Sequence, residues 1–198
     1  MKNNVSVLLL FFLSFVLSCR KDLGPGIPTL YVPESLKQML PYKNGQIIRY
    51  ISTSGHLIEA SISMETKIWE KSNCIGCTPY EREETIGYEF LVGTNPFVRL
   101  SIDTRPIIFM SIFSPVDNYQ IGGGFDFNTV PGVPQPACSG PRQYCLPSVT
   151  LNGNTYTNVL VATNGTTAAK DITKAYYIIS KGLIGFEYGN GYTYSLKE

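Results

Sequence analysis

Residues 56–69 read HLIEASISMETKIW. Leu57, Glu59, Ser61 and Ser63 alternate with Ile58, Ala60, Ile62 and Met64, a period of two that sends successive side chains to opposite faces of an extended strand. Just upstream, QIIRYIS at residues 46–52 is joined to it by Thr53, Ser54 and Gly55, residues that favour a tight turn, so 46–69 predicts a β-hairpin. The same grammar continues downstream. ETIGYEFLV (84–92) alternates Ile86, Tyr88 and Phe90; FVRLSID (97–103) alternates Val98, Leu100 and Ile102; IIFMSIF (107–113) is a short apolar run between Pro106 and Pro115. In the last quarter, SVTL (148–151), Asn152-Gly153 as a type I′ turn and TYTNVLVAT (155–163) lead to AYYIIS (175–180), LIGFEY (183–188) and YTYSL (192–196). About ten strands with short turns predict an all-β fold: a single antiparallel β domain over residues 42–198, curled into a barrel or half-barrel or folded as a sandwich.

One stretch breaks this rhythm. Residues 114–147 hold Pro115, Pro131, Pro134, Pro136, Pro141 and Pro147 together with Gly122, Gly123 and Gly124, and read as a long irregular excursion. The three glycines are not a phosphate loop, because no Lys-Ser/Thr follows them; a bulge or a close backbone crossing explains them better.

The other end of the chain concerns address. Residues 1–18 carry Lys2 and then an apolar run that ends at Arg20, Lys21 and Asp22. At roughly a dozen residues it is short against the ~20 needed to cross a bilayer, and it reads as a signal-peptide core. Val16-Leu17-Ser18-Cys19 resembles the bacterial lipobox, in which the cysteine becomes the acylated first residue of the mature chain. Residues 19–41 then read as a lipidated Gly/Pro-rich tether ending in a short helix, with Pro33 at its first position and Leu36, Met39 and Leu40 on one face. These readings place the protein at the outer membrane, held to the periplasmic face or displayed at the cell surface.

Charge and cysteines bound the chemistry. Loss of residues 1–18 removes Lys2 and leaves 15 basic and 15 acidic residues, so no basic surface exists for a nucleic-acid partner. With Cys19 assigned to lipid, Cys74, Cys77, Cys138 and Cys145 are an even set in an oxidising compartment and predict two disulfides. Three connectivities remain open, and the local one, Cys74 with Cys77 and Cys138 with Cys145, is favoured. Cys74-Ile75-Gly76-Cys77 lies between strand patterns with no helix to lower a thiol pKa, which favours a structural bridge over a redox pair. A four-cysteine zinc site fits poorly, since the second pair is separated by six residues.

Catalytic groups are scarce. His56 is the one histidine and follows a Ser-Gly turn, a poor base for a nucleophile-histidine system. Glu81, Glu83 and Glu84 flank Arg82 at a strand start, a pattern typical of solvated charge guarding a sheet edge. No catalytic residue, cofactor or metal is expected. Aromatics leave more room for function: Trp69, Tyr119, Phe125, Phe127 and Tyr144 stand outside clean strand alternation and are the expected ligand-binding face.

PYKNGQIIRYISTSG (41–55) and KAYYIISKGLIGFEYGNGYTYSL (174–196) resemble the first and last parts of small lipoproteins of unknown function that abound in Bacteroidetes-type bacteria, built on a β-sheet domain. The resemblance implies fold kinship and envelope location, and no catalytic residue. The expected function is a non-enzymatic envelope lipoprotein, held to the membrane by its lipid and binding a glycan or an envelope protein. Two alternatives make different structural demands. A barrel carrying lipid or a small molecule requires a hollow interior, and a hydrolase requires two of Glu81, Glu84, Asp103, Asp126 and Glu187 to converge.

Overall fold

The computed structural model describes residues 26–72, Cys74, 79–114, 119–126, Cys138, 141–165 and 168–197. Twelve strands form one sheet: β1 (Thr29–Leu30), β2 (Ile47–Ser52), β3 (Leu57–Lys71), β4 (Glu81–Val92), β5 (Asn95–Ile102), β6 (Ile107–Ser114), β7 (Tyr119–Asp126), β8 (Gln143–Leu151), β9 (Asn154–Thr163), β10 (Ile172–Ile178), β11 (Gly182–Tyr188) and β12 (Thr193–Leu196). Their order is β7-β6-β5-β4-β3-β2-β12-β11-β10-β9-β8, with every pairing antiparallel except that of β1, which adds in parallel to β4. Along that order, hairpins account for all neighbours but one. Strand β12 returns beside β2, with Tyr194, Ser195 and Leu196 opposite Ser52, Ile51 and Tyr50, and this pairing joins the two halves of the chain.

The sheet curls until its ends meet, giving a nearly closed barrel in which β6 and β7 pack against β8, β9 and β10. Among the described residues no backbone ladder joins β7 to β8; the Gln143 side-chain amide donates to the Gly124 carbonyl across the seam. This contact explains Gly123, while Gly122 and Gly124 lie close against Met110, Ser111 and Phe109 of β6. A Cβ on Gly123 would lie 2.7 Å from Gln143 Cβ, so the seam closes only where the strand carries no side chain. The expectation of an irregular excursion over 114–147 is thereby corrected at its flanks, where β7 and the start of β8 are regular strand, while residues 127–137 lie outside the described residues.

The interior is filled. Inward residues of alternating strands, among them Ile62, Phe90, Leu100, Ile102 and Ile112, merge with Tyr50, Tyr177 and Phe186 into one buried cluster. Phe186 stands at its aromatic centre, with ring centroids 5.1 Å from Tyr50, 5.0 Å from Phe97 and 5.1 Å from Tyr194. Buried hydroxyls have partners: Tyr50 donates to the Leu183 carbonyl at 3.0 Å, Tyr177 to the Met39 carbonyl, and Tyr42 accepts from the Leu183 N–H. One turn of helix, α1 (Glu34–Lys37), closes one end by burying Leu36 and, just beyond it, Leu40. Pro33 sits at its N-cap, one position earlier than the sequence suggests.

A smaller cluster lies on the outer face. Hairpin β8–β9 pairs with β10 through Leu160–Thr163 only, and its far end bends over the outside of the sheet. The bend falls where Pro147 and Asn158 face each other between the Leu146–Val159 and Ser148–Thr157 pairs, and Asn158 takes a positive φ of 55°. Leu151 and Tyr156 thus cover Val159, Val161, Tyr176 and Ile184. Asn152, in the hairpin turn, fastens the flap by donating to the Ile51 carbonyl at 2.6 Å and bonding Ser195 Oγ at 3.0 Å.

Candidate functional site

Where the β8–β9 hairpin bends away from β10, a cleft of about 710 Å³ opens between the bend and the β10–β11 turn. Leu146, Leu160 and Ile178 supply apolar lining, and Thr155, Thr157 and Ser180 supply hydroxyls. Lys181 Nζ lies 5.6 Å from the centre of the Tyr156 ring and binds the turn to the flap through a cation–π contact. The Cys138–Cys145 disulfide, with Cα atoms 5.2 Å apart, borders the same cleft and fixes the chain entering β8. Hydroxyls beside an apolar floor and an aromatic ring are what a polyol or a peptide segment needs.

No family model, curated protein or solved structure matches this chain. Function must therefore be read from the side chains themselves.

Among the described side chains of the predicted aromatic face, Phe125, Tyr144 and Trp69 lie in different surroundings. Phe125 is fully buried in the interior cluster, because its place opposite Ile108 on β6 points it inward; this corrects the expectation that it is exposed. Tyr144 is half-buried on β8 and packs on the outer cluster opposite Val161, so it too supports structure. Tyr119 begins β7, and Phe127 lies outside the described residues. Trp69 is exposed, at 56%, and it stands within β3 rather than in a loop. Its ring is 5.9 Å from Lys67 Nζ.

The carboxylates are engaged in structural bonds, and Glu81 and Glu83 share one partner. Glu81 and Glu83 both pair with Lys71, at 3.0 and 2.8 Å. Burial pushes the Glu83 carboxyl up, but hydrogen bonds from Lys71 and Thr104 and the nearby Arg105 charge outweigh it and hold it below the ordinary value. Glu84 accepts the Val32 N–H at 2.8 Å and pins the segment after β1. Asp103 accepts the Arg105 backbone N–H at 2.8 Å, an Asx turn, and pairs with its guanidinium. Glu187 takes Lys174 at 3.1 Å and the Tyr176 hydroxyl at 2.8 Å; burial first, and that carboxylate second, push the Tyr176 phenol far above its usual range. Asp126 ends β7.

Among the described residues no group of three or more His, Cys, Asp or Glu is placed to hold a metal. Cys74 is disulfide-bonded, whereas Cys77, like Cys19, lies outside the described residues. His56 Nδ1 lies 3.0 Å from the Tyr194 hydroxyl at an exposed position.

Tyr156 and Lys181 were not singled out by the sequence. The signal that marks their cleft is Pro147 in one strand run and Asn158 in the next, two poor strand formers whose meaning emerges only when the register sets them opposite each other.

Proposed function

We propose that the protein is a non-enzymatic, lipid-anchored component of the cell envelope whose β domain binds a partner, a glycan or an envelope protein, on its surface. The observation that carries the reading is the filled interior: Tyr50, Phe90 and Phe186 are fully buried at its centre, leaving the outside of the barrel as the place for a ligand. An interior carrier needs an enclosed apolar cavity of several hundred Å³, and the packed aromatic cluster argues against one. Glu84, Asp103 and Glu187 are each tied to a different structural partner, which speaks against a hydrolase that needs two of them converging in a shared cleft.

Address rests on the Val16-Leu17-Ser18-Cys19 sequence. It is tested by the mass of the N-terminal peptide and by protease treatment of intact cells, with Cys19→Ala as the control. A mature chain beginning at an acylated Cys19, and release of Cys19→Ala from the membrane fraction, are expected. Identical membrane fractionation of wild type and Cys19→Ala overturns the anchor. Digestion on intact cells, with periplasmic markers preserved, assigns the partner to the outside; protection assigns it to the periplasm.

A further inference from the structure

Strands β3 and β4 outrun the barrel. Strand β2 pairs with β3 only as far as Ser61, and β5 pairs with β4 only from Ile86 onward, yet β3 and β4 continue together to Lys71 and Glu81. Lys67–Lys71 and Glu81–Thr85 therefore form a projecting two-stranded arm, supported along one edge by the two residues of β1.

This arm collects exposed apolar groups. Of the ten large apolar side chains exposed among the described residues, Leu30, Tyr31, Ile68, Trp69 and Tyr80 belong to the arm, to β1 or to the residue beside them, a concentration that the rest of the surface does not match. They are not on one face. Ile68 and Trp69 are consecutive strand residues, so they point in opposite directions, and they are 52% and 56% exposed. Leu30 and Tyr31 repeat the arrangement on the other side of β4. A flat protein surface touches one face of a ribbon; a ribbon that exposes large apolar side chains on both faces, among paired charges, fits an interface that surrounds it.

The course of the chain points to that interface. Because β1 runs parallel to β4, residues preceding Thr29 leave toward the start of β4, the distal end of the arm, where the Pro28 carbonyl accepts the Arg82 N–H at 2.9 Å. From Gly26 back to Cys19 the chain spans at most ~25 Å even when fully extended. A lipid on Cys19 thus brings the bilayer to the end of the molecule that carries Tyr80, Trp69 and Ile68.

We propose that the distal arm is a second membrane contact, with Ile68, Trp69, Tyr80, Leu30 and Tyr31 entering the lipid–water interface and setting the barrel upright on its anchor. Trp and Tyr favour that interface because an apolar ring and a polar tip are both satisfied there. The arm's cations are already paired, Lys67 with Glu65, Lys71 with Glu81 and Glu83 and Arg82 with Glu70, and its carboxylates outnumber them, so the surface it suits is zwitterionic rather than anionic and the contact does not weaken with salt. The inference rests on lipidation of Cys19.

Trp69 is the chain's one tryptophan, so its fluorescence reports this site alone. Membrane-extracted protein is reconstituted into phosphatidylcholine vesicles containing lipids brominated at shallow or deep acyl positions. We expect a blue-shifted emission, quenched more by the shallow bromines as befits insertion ~5–10 Å deep, and not weakened by salt. Ile68→Asp in the Cys19→Ala chain, where the arm is the only attachment, lowers vesicle partitioning about tenfold, the loss expected when one isoleucine forfeits its burial. Protein that floats with the vesicles while Trp69 emits as in buffer overturns the arm contact and leaves the anchor standing. An unacylated N-terminus on protein that does not float removes the anchor and the arm contact together. A blue-shifted emission that neither brominated lipid quenches assigns the buried tryptophan to self-association and overturns the proposal.

Discussion

Strands β3 and β4 pass through two environments without changing their pattern. In the barrel wall, Ala60 and Ile62 lie opposite Phe90 and its neighbours and are lost to solvent; eight residues further along β3, Ile68 and Trp69 keep the same alternation and are more than half exposed. What differs is the company. Within the wall each strand has a neighbour on both sides and the far side of the barrel above its inner face, whereas past Ser61 and before Ile86 the pair loses β2 and β5. Alternation decides which side chains share a face, and only the number of adjoining strands decides whether that face is buried.

The largest effect expected from this contrast is between Phe186→Ala and Ile68→Ala. Truncating Phe186 removes the ring that Tyr50, Phe97 and Tyr194 pack upon and costs about 3–5 kcal/mol. Truncating Ile68, with few partners to lose, stays within about 0.5 kcal/mol. Urea midpoints measure both. An Ile68→Ala variant as damaged as Phe186→Ala would mean that the arm is packed against something and is no free projection.

The same contrast separates what was legible in the sequence from what was not. Ile86, Tyr88 and Phe90, and Val98, Leu100 and Ile102, were readable as inward rows, and all six are buried, because local alternation and tertiary burial agree within the wall. Asn152-Gly153 was readable as a turn because a type I′ turn demands two positive φ values, here 49° and 84°. The Cys138–Cys145 bridge was readable from the count of cysteines and their spacing. Strand β7 was not, since three glycines in a row announce a loop by propensity, and their real cause is close packing on β6 at Gly122 and Gly124 and the approach of Gln143, 20 residues away in the chain, at Gly123. Phe125 followed it into error: a residue assigned to a loop was taken for exposed, and it is core. Whether the sheet closes, and where β8–β9 bends to make the cleft, depend on pairings that no single window of sequence contains.

That seam supplies the next test. Gly123→Ala forces a Cβ against Gln143 at the one junction the barrel closes without a backbone ladder, and costs about 1–3 kcal/mol. Amide exchange should quicken in β7 and β8 and remain slow in β2 and β3. Uniform loss of protection in all four would show that the seam and the far wall unfold as one unit. Within the wall, Tyr50→Phe keeps the ring and strands the Leu183 carbonyl, for a loss of about 1–2 kcal/mol by urea titration.

The smallest effect lies on the outer part of the arm and is read through pH. The folded state holds the Glu83 carboxyl below its ordinary value through Lys71 and Thr104, in spite of burial, so the ionised form is the one the fold favours. Its contribution is complete above the ordinary carboxylate range and disappears as pH falls through the lowered value. Lys71 works in the opposite sense: Glu83 and Glu81 raise it, so its contribution holds below the ordinary lysine value and fades as pH rises past the raised one. Glu83→Gln retains the shape of the side chain and removes the acid-side titration. Urea midpoints from pH 7 down to pH 2 should therefore fall less steeply in the variant, by under about 1 kcal/mol, the scale of a pair near the surface. Parallel curves would mean that Lys71 and Thr104 grip Glu83 no more tightly than water does, and that the arm is held to the barrel by its β1 and β4 backbone ladders alone.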